Sequence, residues 1–189
     1  GDYHSRITAC LDGTPQRAWF HKGLKAQSYR WLPHAFKPWL VRNMKLIKEG
    51  FAPTASFVDV FTAHPVIDYY DEEGRFYTRM ECAKHWGECF DYIRDFLGNN
   101  APTTCEAGHD ALVGHIDGVQ SDHFTAKIWN WKCGDSERTP WHDMATHGSM
   151  ILLAGGLGSR YAGDEPYSNY GSDDYLSNTV MGGRNPMCI

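Results

Sequence analysis

No apolar run in this chain approaches the ~18 residues that a membrane-crossing helix needs, so no such helix is expected. There is no cationic surplus either. Lys and Arg number 18 against 23 Asp and Glu, for a formal net charge of −5, which leaves no electrostatic footprint for a nucleic acid. The six cysteines, Cys10, Cys82, Cys89, Cys105, Cys133 and Cys188, are scattered without a CxxC pair. That spacing argues against a disulfide framework and against a zinc–thiolate site, and buried reduced thiols are the expectation. Cys82 and Cys89 fall about two turns and ~10 Å apart on one predicted helix, too far apart to bridge. Gly1–Arg6 contains no apolar signal region or cleavage site, so the compartment stays open between cytoplasm and exterior. No repeat, linker or low-complexity tract is visible.

What the chain does have is a globular composition. It is 42% hydrophobic and 14% aromatic over 189 residues, enough to bury a sizeable core. Ile7–Leu11 reads as a short strand closed by Asp12-Gly13, and residues 14–34 read as a loop rich in aromatics and cations. Pro38 is placed at the first position of a helix that ends at Gly50. Thr54–Phe61 reads as a strand carrying Asp59, and Asp71–Gly74 as a solvated turn. A helix over 79–97 shows the apolar stripe Ala83, Trp86, Phe90, Ile93 and Leu97. Thr103–Glu106 is the next strand, and His109–Val119 is ambiguous. Further strands are expected at 125–131, 141–147 and 150–153, a long loop at 155–174, a helix at 174–181 and a strand at 186–189.

Alternating strands and helices argue for an α/β fold with a parallel sheet. The loops after strands are long and polar-aromatic, whereas those after helices are short, as in a (β/α) barrel with function on its C-terminal rim. A full eight-fold barrel takes about 250 residues, more than the 189 here. The expectation is a partial (β/α)8 TIM barrel with its first strands missing. Residues 1–189 would form a single catalytic domain and a fragment of a longer chain.

Asp59 and Glu106 each end an apolar run, where a buried carboxylate is costly unless it faces a polar cleft. Paired about 5–5.5 Å apart, two such acids support retaining glycoside hydrolysis, one as nucleophile and the other as acid and then base. Asp59 suits the nucleophile, with Thr62 and His64 near in sequence to keep it ionised. Glu106 suits the acid/base through its longer arm. The alternative is that each acid caps a loop or pairs with a cation. His64, His109, His115, His142 and His147, with Asp110, Asp117 and Asp143, suggest a metal-dependent hydrolase of amidohydrolase type as a second reading, although no HxH or HExxH spacing supports it. His147 is a candidate substrate donor. Trp129, Trp131, Trp141, Tyr161, Tyr167 and Tyr170 are rings on which flat sugar faces could stack. Gly155–Arg160 lacks the Gly-Lys-Ser/Thr ending of a phosphate loop. No metal and no cofactor are expected.

Four segments taken in order, SFVDVF at 56–61, TCEAGHD at 104–110, TPWHDMATHGSMI at 139–151 and DYLSNTVMGGRNPMCI at 174–189, resemble the barrel domain of retaining glycoside hydrolases of the endo-α-N-acetylgalactosaminidase type and related uncharacterised bacterial barrel proteins. The resemblance covers about residues 30–189. It implies Asp59 as nucleophile and Glu106 as acid/base, with Gly108-His109-Asp110 matching a Gly-His-Asp-like run and His147 a histidine near the seventh strand. His64, His109, Asp110, Trp131, Trp141 and His147 are the candidate substrate-binding residues. The implied substrate is an oligosaccharide or glycoconjugate, with missing barrel strands supplied by the rest of a parent chain. A non-catalytic carbohydrate-binding barrel is the remaining alternative. Ser149–Leu153 replaces the polar-aromatic ending usual after that histidine, which leaves the sugar open.

Overall fold

The computed structural model describes residues 4–106, 108–120 and 141–153. In chain order these form a 3₁₀ turn at His4–Arg6, β1 (Arg17–His21), β2 (Ala26–Tyr29), α1 (Pro33–Phe51), β3 (Ser56–Val58), β4 (Tyr69–Tyr70), β5 (Phe76–Tyr77), α2 (Arg79–Leu97), β6 (Thr103–Glu106), a 3₁₀ turn at Asp110–Leu112, β7 (Gly118–Gln120), α3 (Trp141–Thr146) and β8 (Ile151–Leu153). Two compact units emerge. Described residues up to Pro53, with Val66–Leu97, make the first; Thr54–Pro65 and described residues from Gly98 onward make the second.

The first unit holds two helices and two hairpins. In α2 the expected stripe is buried at Ala83, Trp86, Phe90 and Ile93 and half-buried at Leu97, and Cys82 and Cys89 are buried beside it. A reciprocal cap starts the helix, the Glu81 N–H donating to Thr78 Oγ1 at 3.3 Å while the Thr78 N–H donates to Glu81 Oε2 at 2.8 Å. Helix α1, which packs against α2, departs from expectation at both ends. It starts at Pro33, which takes the N-terminal slot where a missing N–H costs nothing, and Pro38 lies inside it. It runs past Gly50 to Phe51, where Ala52 in the left-handed region (φ 45°) donates its N–H to Lys48. A glycine inside a helix costs only about 1 kcal/mol, too little to stop it by itself.

The expected loop at 14–34 contains the antiparallel hairpin β1–β2, with Arg17 opposite Tyr29 and His21 opposite Ala26. Its aromatic-and-cation composition hid the strands. The expected strand at 7–11 reduces to isolated bridges, Ile7 to Trp31 and Ala9 to Pro15 and Tyr70. Asp71–Gly74 is the turn expected, joining β4 to β5, with Asp71 Oδ1 accepting the N–H groups of Glu73 and Arg75 at 3.0 and 2.9 Å.

The second unit is built on a four-stranded parallel sheet in the order β3-β6-β7-β8. The protein is therefore mixed α/β with a parallel sheet. Phe57, Thr104, Gly118 and Ile151 share one row, and Val58, Cys105, Val119 and Leu152 the next. The latter row is the core layer, with Cys105, Val119 and Leu152 buried. The leading ends are tied at Asp117, whose Oδ2 accepts the Thr103 N–H at 2.7 Å. The ambiguous stretch 109–119 resolves into the 3₁₀ turn and the start of β7. Residues 141–146 are helix, not the expected strand. Periodicity over so few residues does not separate the two. The elements expected at 125–131, 155–174, 174–181 and 186–189, with Cys133 and Cys188, lie outside the described residues.

Cys82, Cys89 and Cys105 are buried free thiols, as expected, and Cys10 is a half-buried one. Burial pushes Cys89 up to about 12 and Cys105 to about 11, so both stay protonated and inert at neutral pH.

Two predictions follow from packing. Gly108 has φ +66°, and a Cβ there would overlap Val119 Cγ1. Overpacking and the left-handed backbone together make Gly108→Ala destabilising by about 2–4 kcal/mol, read as a melting temperature lower by about 5–15 °C; an unchanged melting temperature would refute this packing. In the first unit, His34 stacks on Tyr77 with centroids 4.4 Å apart, and its Nδ1 lies 3.0 Å from the hydroxyl of the buried Tyr69. Burial first, then the neighbouring charge of His85, lowers the His34 pKa below its ordinary 6.5, while burial raises that of the Tyr69 phenol. The folded state thus prefers the neutral imidazole. Its contribution is fully present above pH ~6.5 and is lost as pH falls below that value. In His34→Gln the difference in melting temperature between pH 8 and pH 5 is expected to shrink, and an unaltered difference would exclude His34 as its source.

Candidate active site

Asp59 directly follows β3, and Glu106 is the last residue of β6. Ser56–Val58 pairs in register with Thr103–Cys105, so one further step along each strand brings Asp59 and Glu106 to the same level. Adjacent strands lie about 4.8 Å apart, so the two acids stand on neighbouring backbones. Asp59 is exposed and Glu106 is buried at 8% exposure.

The segment after β3 holds Glu106 by backbone and side chain. The Phe61 N–H donates to the Asp59 carbonyl at 2.7 Å across Val60, whose φ is +64°. That is a γ-turn of the rare, strained sense. It turns the Val60 N–H onto Glu106 Oε2, at 2.7 Å. The buried Thr62 hydroxyl donates to the Glu106 main-chain carbonyl, which also accepts the Gly108 N–H at 2.8 Å. A left-handed non-glycine residue costs about 1–3 kcal/mol, and the hydrogen bond from the Val60 N–H to Glu106 is one of the contacts that offset it. Sequence proximity assigned Thr62 to Asp59; the structure corrects this, because a hydroxyl has one proton and Thr62 donates it to Glu106.

The other expected residues divide by position. His64 is half-buried in the loop after β3. His109, in extended backbone (φ −159°), precedes the 3₁₀ turn that Asp110 opens after β6, and both ring nitrogens of His109 are shielded from solvent. Asp110 is exposed. These three, with Asp59 and Glu106, lie on the loops that leave the C-terminal ends of β3 and β6. His147 lies elsewhere, exposed between α3 and β8 and ahead of that strand, bridged to Met150. The expectation that it closes a strand is thus corrected. Trp141 opens α3, and Trp131 lies outside the described residues.

Sequence reasoning missed Val60 and Gln120. Gln120 ends β7 directly opposite Glu106 in the ladder; the register of β7 was the missing information. For Val60 no residue type signals a positive φ. Among the described residues no group of three or more His, Cys, Asp or Glu side chains could hold a metal ion, and no helix is long and apolar enough to cross a membrane.

No family model matches the chain, and no curated protein matches it in sequence. Solved structures do. The chain is similar to the α-N-acetylgalactosaminidase NagBb from Bifidobacterium bifidum in its ligand-free form, with a TM-score of 0.69 and 21% identity over 100% of this chain and 29% of that one. The GalNAc complex of the same enzyme gives 0.67 and 19% over 98% and 28%, and the Gal-NHAc-DNJ complex 0.69 and 20% over 100% and 28%. The chain thus spans under a third of the length of these neighbours, and at this identity the likeness is one of fold.

Proposed function

We propose that this chain carries the catalytic carboxylates of a retaining glycoside hydrolase, with Asp59 as nucleophile and Glu106 as acid/base on a partial (β/α)8 barrel. The observation that supports it most is the in-register parallel pairing of β3 with β6, which leaves Asp59 and Glu106 as the residues that follow Val58 and Cys105 at the C-terminal ends of adjacent strands. Catalysis in open or closed α/β sheets gathers at such ends. The similarity to an α-N-acetylgalactosaminidase favours a carbohydrate substrate, an oligosaccharide or glycoconjugate.

In this reading Glu106 gives its proton to the glycosidic oxygen as Asp59 attacks the anomeric carbon, and the leaving group departs with that proton. Glu106, now a carboxylate, takes a proton from water as the water displaces Asp59. His64 and Asp110 stand on the same loops to bind sugar hydroxyls, with His109, its ring nitrogens shielded, behind them. The sheet also presents Phe57 at 50% and Ile151 at 51% exposure in one row with Thr104 and Gly118. All-parallel sheets are covered on both faces, so that row suits further barrel strands from a parent chain.

Asp59→Ala is expected to lose activity by several orders of magnitude, with azide restoring part of it as a glycosyl azide of the anomeric configuration opposite to the substrate; rescue by azide without such a product would exclude Asp59 as nucleophile. Glu106→Ala is expected to lose about 10²–10⁴-fold on alkyl or sugar leaving groups and far less on activated aryl glycosides, since only the former need protonation. Equal losses on both classes would remove Glu106 from the acid/base role.

A further inference from the structure

We propose that Val60 is the positioning residue of Glu106, and that its left-handed turn sets both the orientation of that carboxylate and its separation from Asp59. The proposal rests on the acid/base reading of Glu106. A β-branched side chain is among those least suited to positive φ, and glycine would remove the strain, yet valine stands at φ +64°. Such an outlier needs something that holds it, and here three contacts do. The Phe61 N–H closes the γ-turn on the Asp59 carbonyl at 2.7 Å, the Ala63 N–H returns to the Val60 carbonyl at 3.0 Å, and the Val60 N–H meets Glu106 Oε2 at 2.7 Å.

The geometry couples the two acids through one peptide unit. The Val60 N–H and the Asp59 carbonyl belong to the same planar amide. Whatever fixes that plane fixes Glu106 Oε2 relative to the Asp59 backbone. Thr62 grips the Glu106 carbonyl from the same segment, so residues 60 and 62 hold Glu106 at its side chain and its main chain together. A donor on Oε2 also has a chemical consequence. It directs the proton of the acid form toward Oε1, because Oε2 already accepts. The bulk of valine then serves to hold the turn in one state, which glycine would not.

The test uses the full-length parent protein, which supplies the remaining barrel strands. Val60→Gly keeps the N–H and tolerates positive φ, so it should fold, but it frees the turn. Its kcat/KM on alkyl or sugar leaving groups is expected to fall on the order of 10-fold, with a smaller fall on 4-nitrophenyl glycosides and with KM little changed. Equal falls on both substrate classes would overturn the positioning role. A second arm does not depend on turnover. The residue-60 amide proton, followed by NMR across pH, is expected to shift as Glu106 ionises and to lose that step in Glu106→Gln. A step that persists in Glu106→Gln would overturn the contact whatever the activity. Amide coupling that is intact in a wild-type chain cleaving no glycoside would count for the contact and against the glycosidase assignment.

Discussion

The in-register parallel pairing of β3 with β6 is the constraint from which the candidate site follows. Val58 beside Cys105 leaves the next residue of each strand, Asp59 and Glu106, at one level. A slip of one residue would move Glu106 to the opposite face of the sheet and separate the acids. The register is locked by burial. Cys105, Val119 and Leu152 form a continuous apolar row, and a slip would replace that row with Thr104 and Gly118. Between β3 and β6 it is held at the leading end, where the Ser56 N–H donates to the Pro102 carbonyl at 2.9 Å and the Thr104 hydroxyl to the Ser56 carbonyl at 3.3 Å.

Tight packing around Glu106 demands unusual backbone. Gly108 comes so close to Val119 that a methyl group does not fit, and Val60 is held at positive φ. These two positions flank the acid in space, one through the loop that leaves β6 and the other through the turn that leaves β3. Local strain of this kind persists where surrounding contacts over-determine it. Here the contacts are a buried hydroxyl, a carboxylate and two backbone carbonyls, all within the second unit.

Much of this was legible in the residues. The apolar stripe of α2 is a one-dimensional signal, because helix periodicity depends on near neighbours. The strands under Asp59 and Glu106 were legible as apolar runs ending in an acid. The hairpin β1–β2 was not, since Trp19, Phe20 and His21 sit half-exposed or exposed and show no alternation. Helix α1 was found but misplaced, because Pro38 offered a plausible first position and Pro33 a better one. Residues 141–146 are too few for period to decide between helix and strand.

By itself the sequence determined the chemistry on offer: two strand-end carboxylates, thiols too scattered to bridge, and no motif for phosphate or metal. Those are properties of residue type and short spacing. Only the tertiary structure decided which groups address which acid. Thr62 lies three residues from Asp59 yet donates to Glu106, 44 positions away, and Val60 does the same through its backbone across 46. Parallel strands must be joined by long crossovers, so the partners of a strand-end acid are remote in sequence. The hand of a single peptide, as at Val60, leaves no mark in the residue that adopts it.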